Sequence, residues 1–153
     1  MIQHELIIKS PAFDDNGYIP YKHSCQGENV NPPIEFEGIP EKTRTLALIM
    51  EDVDKTDHWI LWNIPWQVLP NKTIPIHTAP GIEGKNSFGL TRYSGPCPSF
   101  GVKKYVFKLY ALDTSLNLNE GTDKQALLKA MKGHILNTAK LTGRYKRVSN
   151  NSD

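Results

Sequence analysis

The chain has 153 residues, of which 39% are hydrophobic and 9% aromatic. This length and composition predict one folded domain, which we place at residues 1–148 with a frayed tail at 149–153, and they exclude a disordered chain. Lys and Arg total 18 against 16 for Asp and Glu, so the overall charge offers no reason to expect nucleic-acid binding.

The N-terminal residues, MIQHELIIKSP, lack the basic region and apolar run of a secretory signal. No later stretch is apolar for long enough to span a bilayer. We therefore expect a cytoplasmic protein without an integral membrane segment.

The two cysteines, Cys25 and Cys97, are too few for a disulfide scaffold and lack the spacing of a zinc site. They could pair if the fold brings them together. Cytosolic redox conditions normally disfavour such a bond outside hyperthermophiles, so we do not expect one.

Short apolar runs separated by Pro, Gly and Asn clusters fill the first three quarters of the chain, which is typical of β-sheet proteins. The best strand candidates are residues 5–9, 34–37, 45–52, 58–64 and 104–112. Residues 46–50 are nearly all apolar, as expected of a strand that is buried on both faces. Alternation along residues 58–64 places His58, Ile60 and Trp62 on one face of their strand.

Residues 75–101 are predicted to form a long loop region with room for one short hairpin. A loop of that length inside a compact domain usually has a function.

One helix is predicted near the C-terminus, where Thr122 and Gln125 form a capping-box pattern. Apolar or small residues then recur at helical spacing at Leu127, Met131, Ile135 and Ala139. This pattern places Gly133 inside the helix and makes Gly143 the residue that ends it.

The stretch EDVDKTDHWILWN, residues 51–63, places four carboxylates and a histidine beside an apolar run. An EF-hand calcium loop is excluded, because Asp57 stands where the loop needs glycine and the closing glutamate is absent. A zinc site needs three protein ligands, and His58 has no histidine or cysteine partner nearby in sequence. We therefore expect neither a metal nor a cofactor.

Hydrolase chemistry has only weak support in the sequence, which lacks a Gly-x-Ser-x-Gly elbow and a Gly-rich phosphate loop. Cys97 in GPCPSFG could be a nucleophile whose pKa is lowered by Lys103 and Lys104. A cysteine between two prolines more often shapes a turn, and no base is identifiable. A hydrolase that uses His58 with Asp52 or Cys97 therefore stays an alternative.

A binding pocket is the remaining interpretation of this stretch. Asp52 ends a buried strand and His58 begins the next, so neighbouring strands would bring both side chains to one rim. An acid beside a histidine favours the imidazolium, which gives a donor-rich site for phosphate or carboxylate. The turn at 95–101 could form a wall and Tyr105 could supply a hydroxyl. Alternatively, Asp52 only caps a turn and His58 only begins a strand.

Taken in order, several segments of the chain resemble the phosphatidylethanolamine-binding protein family, which includes Raf kinase inhibitor protein, in its small bacterial and archaeal branch. The matching segments are NVNPPIEFEGIP (29–40), LALIMEDVDKTDHWILWNIP (46–65), GLTRYSGPCPSFGVKKYVFKLYALD (89–113) and GHILNTAKLTGRYKR (133–147). The resemblance implies a mainly β fold, an antiparallel Greek-key β-sandwich with a C-terminal helix and a few short peripheral helices. It also implies one small pocket for anions such as phosphate, acetate or a phosphorylated head group.

The resemblance assigns roles to individual residues. The implied ligand-binding residues are Asp52, His58, Pro96, Cys97, Lys103 and Tyr105, and the implied supporting residues are Asp54, Asn63 and Gly95. His134 matches a histidine of the C-terminal Gly-His motif, for which we expect a structural role.

Three departures from the family pattern affect this expectation. Val53 and Thr56 replace prolines of the Asp-Pro-Asp-Ala-Pro signature, which predicts a less rigid loop. The short segment before His58 predicts a more open pocket mouth. Lys103 and Lys104 replace a His-Arg pair, and a lysine keeps the positive charge while it removes a group that titrates near neutral pH.

The sequence therefore predicts a non-enzymatic protein that binds an anion or phosphate group. By family analogy it could bind phospholipid head groups or phosphorylated partners and modulate a kinase or protease, and it could form a homodimer. An interaction protein with a vestigial pocket is the further alternative.

Overall fold

The structure is a computed structural model that describes residues 5–149. The eight strands and one helix in this range are β1 (Ile7–Lys9), β2 (Ile34–Glu37), β3 (Thr45–Asp52), β4 (Asp57–Ile64), β5 (Thr73–Ile74), β6 (Ile82–Glu83), β7 (Val102–Leu112), α1 (Lys124–Met131) and β8 (Ile135–Lys146). Short 3-10 helices lie at Tyr21–His23, Trp66–Val68 and Pro70–Lys72.

The strands form two antiparallel sheets, one of three strands in the order β1-β2-β5 and one of five in the order β6-β4-β3-β7-β8. The expected mainly β fold with one helix is confirmed. Greek-key connectivity stays a prediction.

The larger sheet is covered on both faces. On one face its Trp59 and Phe107 pack with Phe36 of the smaller sheet in the first core cluster. On the other face Ile49 and Trp62 pack with Leu127 and Met131 of α1 in a second cluster. Burial on both faces explains why residues 46–50 are apolar without alternation.

All five predicted strands are present, and residues 34–37 and 45–52 have the predicted bounds. The prediction missed β5 and β6, which have two residues each and therefore no readable periodicity. Strand β6 lies within the predicted 75–101 loop and pairs with β4.

The predicted long C-terminal helix is wrong beyond Met131. Asp123, not Thr122, caps α1, because its Oδ1 accepts a hydrogen bond from the Ala126 N–H at 3.0 Å. Gly133 has φ +85° and lies just after the helix, where a left-handed glycine normally ends one. The Gly-His motif is therefore part of a turn.

Residues 135–146 form β8, which pairs with the whole length of β7. Their apolar residues also fit a period of two, because Leu141 and Tyr145 point into the first core while Lys140 and Arg144 alternate with them. The helical spacing of Ile135 and Ala139 was coincidental. The expected frayed tail lies, apart from Ser149, outside the described residues.

No helix within residues 5–149 is long and apolar enough to cross a membrane.

Replacing Gly133 by alanine should lower the free energy of unfolding by about 1 kcal/mol, because its positive φ is unfavourable for a residue with a Cβ. The cost is conformational, since an added Cβ would meet no atom within 4 Å. Urea denaturation measures it, with Lys132→Ala as a control that should change stability by less than about 0.5 kcal/mol. A stabilising Gly133→Ala variant would instead support a helix that continues through this position.

Candidate functional site

A β-bulge between β3 and β4 determines where His58 points. Met50 pairs with Trp59 and Glu51 pairs with Asp57, so His58 is an extra residue in β4. Its ring lies edge-on to Tyr105, with centroids 5.1 Å apart, on the face of the sheet that carries the first core. The expectation that His58 shares a face with Ile60 and Trp62 is therefore wrong, because the bulge breaks the alternation.

The carboxylate of Asp52 is the centre of the site and is only 4% exposed. Its Oδ1 accepts hydrogen bonds from the backbone N–H groups of Asp54 (2.8 Å) and Thr56 (3.0 Å). Its Oδ2 lies 3.1 Å from His58 Nε2 and 3.5 Å from Lys103 Nζ. Four donor groups from three segments thus surround one buried carboxylate.

His58 is held at both ring nitrogens and is 2% exposed. Its Nδ1 lies 2.7 Å from the carbonyl oxygen of Ser94, and its Nε2 faces Asp52. Since a carbonyl only accepts, Nδ1 carries a proton in this contact. The contact between Nε2 and Asp52 is a hydrogen bond in either of two cases. Nε2 is also protonated, so that an imidazolium lies beside a carboxylate, or Asp52 itself is protonated.

Lys103 points into this cluster rather than into solvent. Its Nζ lies 2.9 Å from Asp54 Oδ2 as well as near Asp52. Antiparallel pairing of β3 with β7 puts Asp52 opposite Tyr105, and Lys103 shares a face of β7 with Tyr105 because the two are two positions apart along the strand. The lysine therefore occupies the place that the family resemblance gave to a histidine.

The pKa values of these groups follow from the contacts. Burial acts to raise the pKa of Asp52, but the hydrogen bonds from His58, Thr56 and Asp54 outweigh it and leave this pKa below its usual range. The hydrogen bond to Asp54 is the main cause of a raised pKa at Lys103. Burial raises the pKa of the Tyr105 phenol, so its hydroxyl stays protonated.

The turn at Gly95–Pro98 forms one wall of the site. A Cβ at Gly95 would overlap the carbonyl oxygen of His23, and the Gly95 N–H donates to Asn29 Oδ1 at 2.7 Å, so only glycine fits this close approach. The Cys97 backbone hydrogen-bonds the phenol oxygen of Tyr105. The wall and the tyrosine are therefore in contact.

Cys25 and Cys97 form a disulfide with a Cα–Cα distance of 5.4 Å, which corrects the expectation that they stay unpaired. The Cys25 N–H also donates to the Pro96 carbonyl at 3.0 Å, so the fold aligns the two segments at this point. Sequence spacing could not reveal this, since the two residues are 72 positions apart.

The short 53–56 loop closes over Asp52 instead of leaving an open mouth. Besides the two bonds to Oδ1, the Asp52 N–H donates to the Thr56 carbonyl and the Lys55 N–H to the Asp52 carbonyl, each at 3.0 Å. Phe88, from the long loop, places its ring 5.5 Å from the His58 ring. These contacts replace the restraint that prolines would have given.

Asn86 is a site residue that the sequence prediction missed. It is buried, and its Nδ2 donates to Ser94 Oγ at 2.9 Å and to the Arg92 carbonyl at 2.9 Å, while its Oδ1 accepts from the N–H groups of Phe88 and Leu90. It thereby shapes the loop that presents Ser94 and Phe88 to His58. The only sequence signal was the unusual length of that loop.

Two residues expected from the resemblance lie away from the cluster. Asn63 is near the other end of β4, where its side chain accepts from the Leu116 N–H at 2.7 Å and donates to the Leu116 carbonyl at 2.8 Å. His134 is exposed and pairs with Asp113 at 2.9 Å. Both side chains contact a connection between secondary-structure elements, and a structural role for His134 stays a prediction.

Comparison with known proteins places the chain in a family. The model of the phosphatidylethanolamine-binding protein family matches residues 9–146, so the chain belongs to that family.

Its relatives include a UPF0098 protein of Methanothermobacter thermautotrophicus, 41% identical over 152 residues, which cover 92% of this chain and 98% of that protein. A UPF0098 protein of Pyrococcus abyssi is 41% identical over 157 residues, covering 94% of this chain and 86% of its own length.

Solved structures agree with this assignment. A putative phosphatidylethanolamine-binding protein homologue from Chlamydia trachomatis, CT736, superposes with a TM-score of 0.88 at 34% identity, covering 95% of this chain and 99% of its own. YbcL of E. coli, described as a member of the mammalian family, has a TM-score of 0.84 at 23% identity, with coverage of 94% and 99%. The second likeness concerns the fold alone.

The Asp52→Asn variant should lose about 2–4 kcal/mol of stability at pH 7, because an amide cannot accept from all four donors and leaves buried partners unsatisfied. Folding lowers the pKa of the Asp52 carboxyl, so its charge stabilises the fold at any pH above the pKa of the unfolded chain. This stabilisation is lost as the pH falls through the lower pKa of the folded protein. The deficit of the variant should therefore shrink below about pH 4.

Urea denaturation of both proteins at neutral and acidic pH measures this difference. Asp14→Asn is the matched control, because Asp14 is exposed, and it should show no such convergence. A deficit that stays constant with pH would mean that the Asp52 charge does not stabilise the fold.

Replacing both cysteines by serine should cost about 2–4 kcal/mol, since the bond closes a loop between residues 72 positions apart. The measurement is urea denaturation without reductant, and the unmodified protein in excess reductant should approach the double variant. If reductant leaves the stability of the unmodified protein unchanged, the cysteines are not bonded.

Proposed function

We propose that the protein binds a small anion, with a phosphate group as the best fit, at the cluster of Asp52, His58, Lys103 and Tyr105, and that it is not an enzyme. The observation that carries this proposal is the position of the Lys103 ammonium, 3.5 Å from Asp52 and 2.9 Å from Asp54. The Lys103 side chain is 29% exposed, so the ammonium lies between the buried Asp52 and solvent and is accessible to a ligand.

Asp54 marks the place where a ligand anion would bind. Its side chain is 68% exposed and has the Lys103 ammonium as its ion-pair partner. A phosphate oxygen can replace this carboxylate at Nζ, since an exposed ion pair of this kind contributes only about 0–1 kcal/mol. Asp54 is then an internal competitor of the ligand.

Asp52 and His58 act beneath the lysine as positioning groups. The Asp52 carboxylate has four polar contacts, which come from the Asp54 and Thr56 N–H groups, His58 and Lys103. These contacts fix the carboxylate beside the ammonium. Tyr105 lies opposite Asp52 on the next strand and keeps a protonated hydroxyl that can donate to an anion. Pro96 and Cys97 form the wall that limits the size of the ligand.

Two apolar side chains border the cluster, which favours a phosphate that carries an organic group. Phe88 lies against the His58 ring, and Val53 follows Asp52; they are 52% and 58% exposed. A phospholipid head group, after which the family is named, would fit this combination. Modulation of a kinase or protease and dimerisation stay predictions.

The hydrolase alternative has less support in the geometry. The sulfur of Cys97 is in the disulfide, whereas a cysteine nucleophile must be a free thiolate. Both nitrogens of His58 already face acceptors, so a general base would first have to leave Asp52 or Ser94. A binding function needs neither change.

Titration with inorganic phosphate and with phosphoethanolamine should shift the His58 ring signals in NMR spectra. Lys103→Ala should weaken binding at least about tenfold, because it removes a charge-assisted hydrogen bond. Asp54→Asn should strengthen binding about two- to fivefold by removing the competing carboxylate. Tighter binding of phosphoethanolamine than of phosphate would identify an organic head group as part of the ligand.

Lys104→Ala is the matched control for the lysine, since Lys104 is the next residue of β7 and faces the other side of the sheet. It should leave both affinities unchanged. If the His58 signals of the folded protein stay in place at millimolar concentrations of both ligands, the site does not bind phosphate and the vestigial-pocket alternative is favoured.

A further inference from the structure

The outer face of the β7–β8 pair carries basic residues in an arrangement that costs stability. Lys108 lies directly opposite Lys140, and Lys104 lies directly opposite Arg144. Side chains opposite each other in an antiparallel pair lie close together on one face, and like charges there destabilise the sheet. This face is the reverse of the one that carries Lys103 and Tyr105, because side chains alternate along β7.

Carboxylates on this face neutralise only part of the charge. Glu51 contacts Lys108 at 3.3 Å, Lys55 at 3.5 Å and Lys124 at 3.8 Å. Asp57 pairs with Lys124 at 2.7 Å. Two acids are thus shared among three lysines, and Lys140 has no ion pair within residues 5–149.

A groove of about 430 Å³ lies at this position and is lined by Lys108, Tyr110, Thr138, Ala139 and Lys140. Its volume is within the range of small-molecule sites. Tyr110 is opposite Thr138 on the neighbouring strand, which places two hydroxyl groups beside the lysine pair. Burial raises the pKa of the Tyr110 phenol and so keeps it a hydrogen-bond donor.

We propose that this groove is a second anion site, which binds a phosphorylated aromatic molecule of nucleotide size. The phosphates would lie between Lys108 and Lys140, whose mutual repulsion they relieve. The aromatic part would pack on the half-buried ring of Tyr110. The proposal is independent of the Lys103 site, because no residue is shared and the two groups of side chains lie on opposite faces of β7.

The competing explanation is that Lys140 only protects an exposed edge, since β8 is the last strand of its sheet. A single charge reversal, Lys140→Glu, separates the two explanations. The carboxylate that this variant introduces would still guard the edge and would also pair with Lys108, so the melting temperature should rise by about 1–3 °C. If Lys140 instead binds the ligand, the same variant should also have a lower affinity for it.

The experiment is a titration of the full chain with ADP and with pyrophosphate at about 0.15 M ionic strength, followed by NMR and calorimetry. ADP should bind saturably, shift the amide signals of residues 108, 110, 138 and 140, and bind at least about fivefold more tightly than pyrophosphate because of the tyrosine contact. Lys140→Glu should weaken ADP binding at least about tenfold. The surface control Lys42→Ala should leave ADP binding unchanged.

Three results would overturn the proposal: no saturable ADP binding at millimolar concentration, equal affinity for ADP and pyrophosphate, or unchanged ADP affinity in the charge-reversal variant. Shifts at His58 with ADP that vanish in Lys103→Ala would assign the ligand to the first site instead. Because the two sites respond to different variants, failure of one proposal does not imply failure of the other.

Discussion

The buried carboxylate of Asp52 is the constraint on which the first site depends. A charge that is removed from water needs donors, and those of Asp52 come from the 53–56 loop, from His58 on β4 and from Lys103 on β7. His58 in turn fixes the long loop through Ser94, and Asn86 holds that loop in shape. One carboxylate therefore links two strands and two loops that are distant in sequence.

Where β3 ends and β4 begins, the larger sheet carries charged side chains on both of its faces. Glu51 and Asp52 are consecutive on β3 and point to opposite sides. Asp57 and His58 do the same on β4, where the bulge puts His58 on the face of Asp52 and Asp57 on the face of Glu51. Asp52 and His58 join Lys103, whereas Glu51 and Asp57 join Lys108 and Lys124. The acidic stretch 51–57 thus supplies two separate polar clusters, each balanced by its own lysines.

Sequence patterns were sufficient where burial alone decides the structure, and insufficient where the backbone departs from a regular period. The strands at 34–37 and 45–52 are read correctly because apolar residues dominate them. The C-terminal region is misread because Ile135 and Ala139 fit both a helical and a strand period, and only the left-handed Gly133 decides between them. For the site, the resemblance located Asp52, Lys103 and Tyr105, but the bulge at His58, the disulfide and the role of Asn86 depend on contacts between residues far apart in the chain.

The disulfide between Cys25 and Cys97 has a consequence for the energetics of binding. It joins the wall of the site to the segment that follows the Tyr21–His23 helix. Chain entropy in this turn is therefore lost when the protein folds and not when a ligand arrives. In the proposed anion site, a preorganised wall would give more affinity for the same contacts, and that gain would be available only while the two cysteines are bonded. For the anion binding proposed above, we therefore expect an affinity that depends on the oxidation state of Cys25 and Cys97 even if neither cysteine touches the ligand.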